Sequence, residues 1–234
     1  MLASANKNIK NVELLLSHGA LVNETNVDGL TSLMMACAYG NMAAVKLLLN
    51  SNAQVDNKCH DGWTALMIAS EIGHIGLVQL LLDHNANVNE KNQDGMTSLM
   101  IASLNGHKDV VKLLLDANSL VNEKCLNGWT TLMLASEMGH TEIVQLLLDQ
   151  RALVNEQSQN GWNAYLIASH KGHSCVVDLL LERGSSVIEH KEKVILQPRE
   201  LQKNLKVYQY NLKKFYKDVS IAAPVIYLRQ RTMH

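Results

Sequence analysis

The 234 residues carry a net charge of −1, a hydrophobic fraction of 47% and an aromatic fraction of only 4%. No run of about 18 apolar residues is present, so no membrane-spanning helix is expected, and residues 1–11 lack the apolar core and cleavage site of a secretory leader. The near-neutral total hides two different segments. Residues 1–190 hold 11 Lys/Arg against 19 Asp/Glu, whereas residues 191–234 hold 10 against 3, so an acidic body precedes a basic tail.

The elements follow a period. Asp-Gly or Asn-Gly ends at Gly29, Gly62, Gly95, Gly128 and Gly161, and a second glycine trails each by 11 residues, at Gly40, Gly73, Gly106, Gly139 and Gly172. A 33-residue interval kept in register across five copies marks a stack of small units, each too small to bury its own apolar face. The expected divisions are a partial unit over 1–26, full units over 27–59, 60–92, 93–125, 126–158 and 159–190, and a separate segment over 191–234.

The unit at 60–92 shows the design. Asp61-Gly62 signals a turn. Thr64 suits an N-cap, and Leu66, Met67, Ile68 and Ala69 form a short helix that stops at Gly73. A second helix from near His74 carries Leu77, Val78, Leu80, Leu81 and Leu82, an apolar face wide enough to demand burial against neighbours on both sides. Polar residues 85–92, anchored by Val88, return the chain as a hairpin.

The first unit is incomplete, since Met1 falls inside its first helix; either Lys7, Asn8, Lys10 and Asn11 make it a substitute cap, or, the reading preferred, the chain is a fragment of a longer array. Beyond Glu189 the pattern stops. Pro198 opens a stretch in which Leu201, Leu205, Tyr208, Leu212 and Phe215 recur at spacings of 4, 3, 4 and 3, an amphipathic helical stripe, with Lys203, Lys206, Lys213, Lys214 and Lys217 on the other faces. This helix either covers Val176, Val177 and Leu180 as an end cap or engages a partner or a membrane surface.

In-register Gly, Thr, Leu, Ala, Gly-His and Leu-Leu-Leu over residues 1 to about 190 resemble the ankyrin repeat. The resemblance implies an all-α solenoid of helix-turn-helix units joined by hairpin loops, here followed by a C-terminal helical tail. The family's Thr-Pro-Leu-His reads as Thr31-Ser32-Leu33-Met34 and Thr64-Ala65-Leu66-Met67 in this chain. Methionine in place of that histidine suggests an array held more by flexible apolar packing than by a polar ladder.

No catalytic constellation emerges, and no cofactor or small-molecule substrate is expected. His74, His107, His140 and His173 recur one per unit, but units stacked roughly 10 Å apart cannot share a metal at about 2 Å, and each is expected to pack at the start of its second helix. Cys59 and Cys125 sit two units apart, beyond disulfide reach. Reduced thiols point to the cytoplasm or the nucleus.

The family resemblance places ligand contacts on hairpin tips and first helices, along a concave face. Here those positions are Leu30, Trp63, Met96, Trp129 and Trp162 after each tip glycine, and Tyr39, Ile72, Asn105, Met138 and Lys171 at the first-helix ends. The first row, holding every tryptophan in the chain, is either an exposed binding edge or a set of side chains folded back to buttress the next unit. The tips themselves, Val27, His60, Gln93, Leu126 and Gln159, differ most between units. The resemblance also marks Asn23, Asn89, Asn122 and Asn155 for asparaginyl hydroxylation; hairpin stabilisation by side-chain hydrogen bonds is the competing reading.

The expected function is a non-enzymatic, monomeric adaptor that binds a protein, one with a basic patch given the acidic body. The alternatives are the ankyrin portion of a larger regulator or enzyme, such as a ubiquitin-ligase substrate receptor, and a basic tail that anchors to nucleic acid or an anionic membrane.

Overall fold

The computed structural model describes residues 2–5 and 9–185; the stretch over 191–234, with its expected amphipathic helix, lies outside them. The described residues form twelve helices in six successive pairs: α1 (Leu2–Ala5) with α2 (Ile9–Ser17), α3 (Ser32–Ala38) with α4 (Met42–Asn50), α5 (Ala65–Glu71) with α6 (Ile75–Asp83), α7 (Ser98–Leu104) with α8 (Lys108–Asp116), α9 (Thr131–Glu137) with α10 (Thr141–Asp149), and α11 (Ala164–Lys171) with α12 (Ser174–Glu182). The architecture is an all-α repeat solenoid. First helices pack on first helices, second on second, and each pair packs internally.

From α3 onward each first helix starts where a hydroxyl or amide oxygen meets an orphan backbone N–H. Thr31 Oγ1 accepts from Met34 N at 3.2 Å, Thr64 Oγ1 from Met67 N at 3.3 Å, and Asn163 Oδ1 from Leu166 N at 2.8 Å. Second helices end on a left-handed residue, Asn52, Asn85, Asn118 or Arg151, with φ between 62° and 64°, which turns the chain away without a further helical bond.

Burial is distributed differently from the pattern expected of the sequence. The short first helices are the ones enclosed all round: every residue of α5, α7 and α9 is buried. They form an inner row with neighbours on two sides and second helices behind. The second helices form the outer row and keep a wet face. In α6, Leu77, Val78 and Leu81 are buried, Leu80 and Leu82 are half-buried, and Gln79 is exposed.

The loops between units contain no continuous strand among the described residues, only isolated bridges between Thr25 and Thr31 and between Lys124 and Thr130. They are tied to one another instead. His60 N donates to Asp28 O at 3.0 Å, Gln93 N to Asp61 O at 3.1 Å, Leu126 N to Asp94 O at 3.0 Å and Gln159 N to Asn127 O at 3.2 Å. Val176 and Leu180, expected to await a cap, are already fully buried within the last unit.

Candidate functional site

The tip row is not an exposed aromatic edge. Leu30, Trp63, Met96, Trp129 and Trp162 are all buried, at 1%, 1%, 5%, 4% and 7% exposure. The physical reason lies in the loop backbone. The residue after each tip glycine closes its own loop: Cys59 N donates to Trp63 O at 3.0 Å, Asn92 N to Met96 O at 3.1 Å, Cys125 N to Trp129 O at 3.0 Å and Ser158 N to Trp162 O at 2.8 Å. On the return side Leu30 N and Met96 N each donate to an Asn Oδ1 at 2.8 Å, from Asn26 and Asn92. With its main chain held at both ends, the side chain turns inward onto the first helices. The residue four positions earlier, Asn26, Cys59, Asn92, Cys125 or Ser158, is small or polar but of no single type.

What remains accessible is the edge beside that row. Val27 is 89% exposed and Leu126 65%, with His60, Gln93 and Gln159 also exposed at the tips. At the first-helix ends Met138 and Lys171 are exposed, and Tyr39, Ile72 and Asn105 half-buried. Tips and helix ends meet within a unit: the Trp162 and His170 rings pack edge-to-face with centroids 5.6 Å apart. Asn105 is turned back, Nδ2 donating to Ile101 O at 2.9 Å.

Sequence reasoning missed the buried carboxylates behind this edge. Glu71 and Glu137 close the inner helices α5 and α9 at 7% and 3% exposure, with Leu104 between them in the stack at 5%. Burial pushes the Glu137 carboxyl above the usual carboxylate range, and the Lys171 ammonium beside it pulls the other way. Lys171 Nζ touches Oε1 at 3.1 Å, without the alignment of a hydrogen bond. A raised folded pKa means that this group's stabilisation is complete below its unfolded pKa and lost as pH rises through the folded one. Glu137→Gln is therefore expected to raise the denaturation midpoint at neutral pH and to lose that advantage near pH 4. Lys171→Met, which strands the carboxylate, is expected to cost about 2 kcal/mol at pH 7. Equal midpoints for the wild type and Glu137→Gln across pH 4–8 would contradict this account.

The histidines bridge units rather than assemble a site. His107 Nε2 donates to Glu71 O at 2.7 Å, His140 Nε2 to Leu104 O at 3.3 Å and His173 Nε2 to Glu137 O at 2.9 Å. Each satisfies a carbonyl left open at the end of the preceding inner helix. His74 instead caps its own helix, Nδ1 accepting from Leu77 N at 3.3 Å. Gly73 makes room for this ladder, since a Cβ there would lie 2.5 Å from the His107 ring. Burial holds His140 below the usual imidazole range, although its bond to Leu104 O raises it. Among the described residues no group of three His, Cys, Asp or Glu side chains gathers as a metal-ligand set.

The asparagines form a second ladder. Asn23 Oδ1 accepts from Gln54 N at 2.8 Å and Nδ2 donates to Asn52 O at 3.3 Å; Asn122 does the same with Leu153 N at 2.8 Å and Arg151 O at 3.4 Å. Asn89 bonds Leu120 N at 2.9 Å and Asn118 O at 3.5 Å, and Asn155 bonds Gly184 O at 3.3 Å. A hydroxylase acting on any of these side chains would first have to draw it off the next unit. A third ladder runs through lysines: Lys58, Lys91 and Lys124 reach Glu90, Glu123 and Glu156 at 2.6, 2.5 and 2.5 Å. Methionines are buried at the position where the family often carries histidine, at 1% exposure or less for Met34, Met67, Met100 and Met133, and the polar ladders run beside this apolar packing at other positions.

No match was found among curated proteins. The family described as ankyrin repeats (3 copies) matches residues 1–92, 33–125, 84–157 and 99–191. These overlapping matches cover the whole stack of inner and outer helices, and the chain belongs to the ankyrin-repeat family.

Proposed function

We propose that the array is a non-enzymatic adaptor of the cytoplasm or nucleus that binds, as a monomer, a protein carrying a basic patch. Ankyrin repeats are, as a class, protein–protein interaction modules. The observation that carries the reading is the division between adjacent positions in the same unit. The residue after each tip glycine is buried and apolar throughout. The tips beside it, Val27, His60, Gln93, Leu126 and Gln159, reach solvent and differ in chemistry from unit to unit. A rigid frame that presents varied side chains in a line loses little entropy on docking. The array's excess of Asp and Glu over Lys and Arg favours a positively charged partner and faster association at low salt.

The test is affinity capture with the wild type, the tip-edge variant Leu126→Lys/Met138→Lys and the outer-helix variant Gln79→Lys. Both substituted sets are solvent-exposed, so all three proteins are expected to melt within a few degrees of one another. A protein captured by the wild type and by Gln79→Lys should be lost from Leu126→Lys/Met138→Lys. Capture that survives on the tip-edge variant would place binding on another face.

A further inference from the structure

The repeat itself shows which surface of the last unit lacks a neighbour among the described residues. Val177 is half-buried where its equivalents Val45, Val78, Val111 and Val144 are fully buried. Leu166 is half-buried where Met34, Met67, Met100 and Met133 are at most 1% exposed. Leu181 is 41% exposed where Leu49, Leu115 and Leu148 are buried and Leu82 is half-buried. Ser169 is exposed where Ser70, Ser103 and Ser136 are at 0%. In every internal unit these positions form the stacking face that the next unit covers. In the last unit they form an apolar surface edged by exposed Asp178 and Glu182 on α12.

We propose that residues 198–217 of the same chain cover this face, with Leu201, Leu205, Tyr208, Leu212 and Phe215 set against Leu166, Val177 and Leu181. Three observations select this occupant. Its apolar residues recur at helical spacing, as a substitute for a stacked helix requires. Its charge is opposite to that of the array: 10 Lys/Arg and 3 Asp/Glu over 191–234, against 11 and 19 over 1–190. It also lies within reach. The chain leaves the described array at Ser185, beside α12, and the residues from 186 to 197 extend to at most roughly 40 Å. The nine-residue helix they must pass is about 14 Å long. The array would thus carry its own end piece in place of a polar terminal unit.

The experiment uses the full chain as wild type, the tail variant Leu205→Asp/Leu212→Asp, the face variant Leu181→Asp and their combination. Leu181 is solvent-exposed, so its substitution leaves the internal units folded. Amide exchange over residues 174–182 should be roughly tenfold faster in either variant than in the wild type, because an uncovered terminal unit opens locally. The combination should add little to either alone, as expected of groups in contact. Unchanged exchange in the tail variant, or full additivity, would overturn the proposal. Protection that rises with protein concentration, together with a dimer in sedimentation, would also overturn it by assigning the face to a second copy.

Discussion

Trp63→Ala is expected to lower the stability of the array by about 3–5 kcal/mol, measured by urea denaturation, while leaving every solvent-facing residue of the tip edge in place. The side chain is 1% exposed and its main chain closes the loop that leads into α5. Its loss would leave a cavity between a loop and an inner helix whose residues are all buried, with little freedom to collapse. Met96→Ala at the equivalent position should cost roughly 2–4 kcal/mol. Leu126→Ala, at 65% exposure, should stay within about 0.5 kcal/mol. The three values separate structure from recognition along one row of the repeat. A partner retained by Trp63→Ala and lost by substitution at Leu126 would locate contact at the tips. A stability loss below about 1 kcal/mol for Trp63→Ala would mean that the tryptophan is not the buttress its burial indicates.

Much of this was legible because a period is informative at every level at once. The interval of 33 residues located the turns, the Thr N-caps and the start of each second helix, and Thr64, His74 and Gly73 stand where the pattern put them. Periodicity is blind to direction, however. Leu80, Leu81 and Leu82 are consecutive letters, yet only Leu81 is fully buried, because which row of helices is inner depends on how units stack. The tryptophan row misled for a related reason. Recurrence at a turn is compatible with an exposed edge and with an inward anchor, and the main-chain bonds from Cys59, Cys125 and Ser158 that decide between them connect residues four apart with no distinctive side chain. The polar ladders were hidden more deeply still. His107 to Glu71 O spans 36 positions and Asn122 to Leu153 N spans 31, so each bond joins different parts of neighbouring units, and residues aligned in equivalent columns do not reveal the contact. Glu137 and Lys171 stand 34 apart for the same reason.

The tip glycines offer the sharpest separation of local from inter-unit energetics. Gly62 and Gly161 hold the same conformation, φ +80° and +76°, which costs a residue with a Cβ about 1–2 kcal/mol. Their surroundings differ. A Cβ on Gly62 would lie 2.9 Å from Gln93 N and 3.0 Å from Asn92 Cα, whereas one on Gly161 would meet nothing within 4 Å among the described residues. The atoms approached at Gly62 are backbone of the following loop and cannot swing aside as a flexible side chain would. The loop would have to move as a piece, stretching the bond from Gln93 N to Asp61 O, now 3.1 Å. Gly161→Ala is therefore expected to cost only the conformational strain, and Gly62→Ala roughly 1–3 kcal/mol more. The excess should fall on the junction between two units, because stability in a stack is a sum of unit and interface contributions. Denaturation of Gly62→Ala should accordingly broaden or split as the units on either side of that junction unfold less cooperatively, while Gly161→Ala keeps the wild-type slope. Equal losses and equal slopes for the two variants would mean that the glycines serve turn geometry alone and that close approach of successive loops contributes nothing to holding the array together.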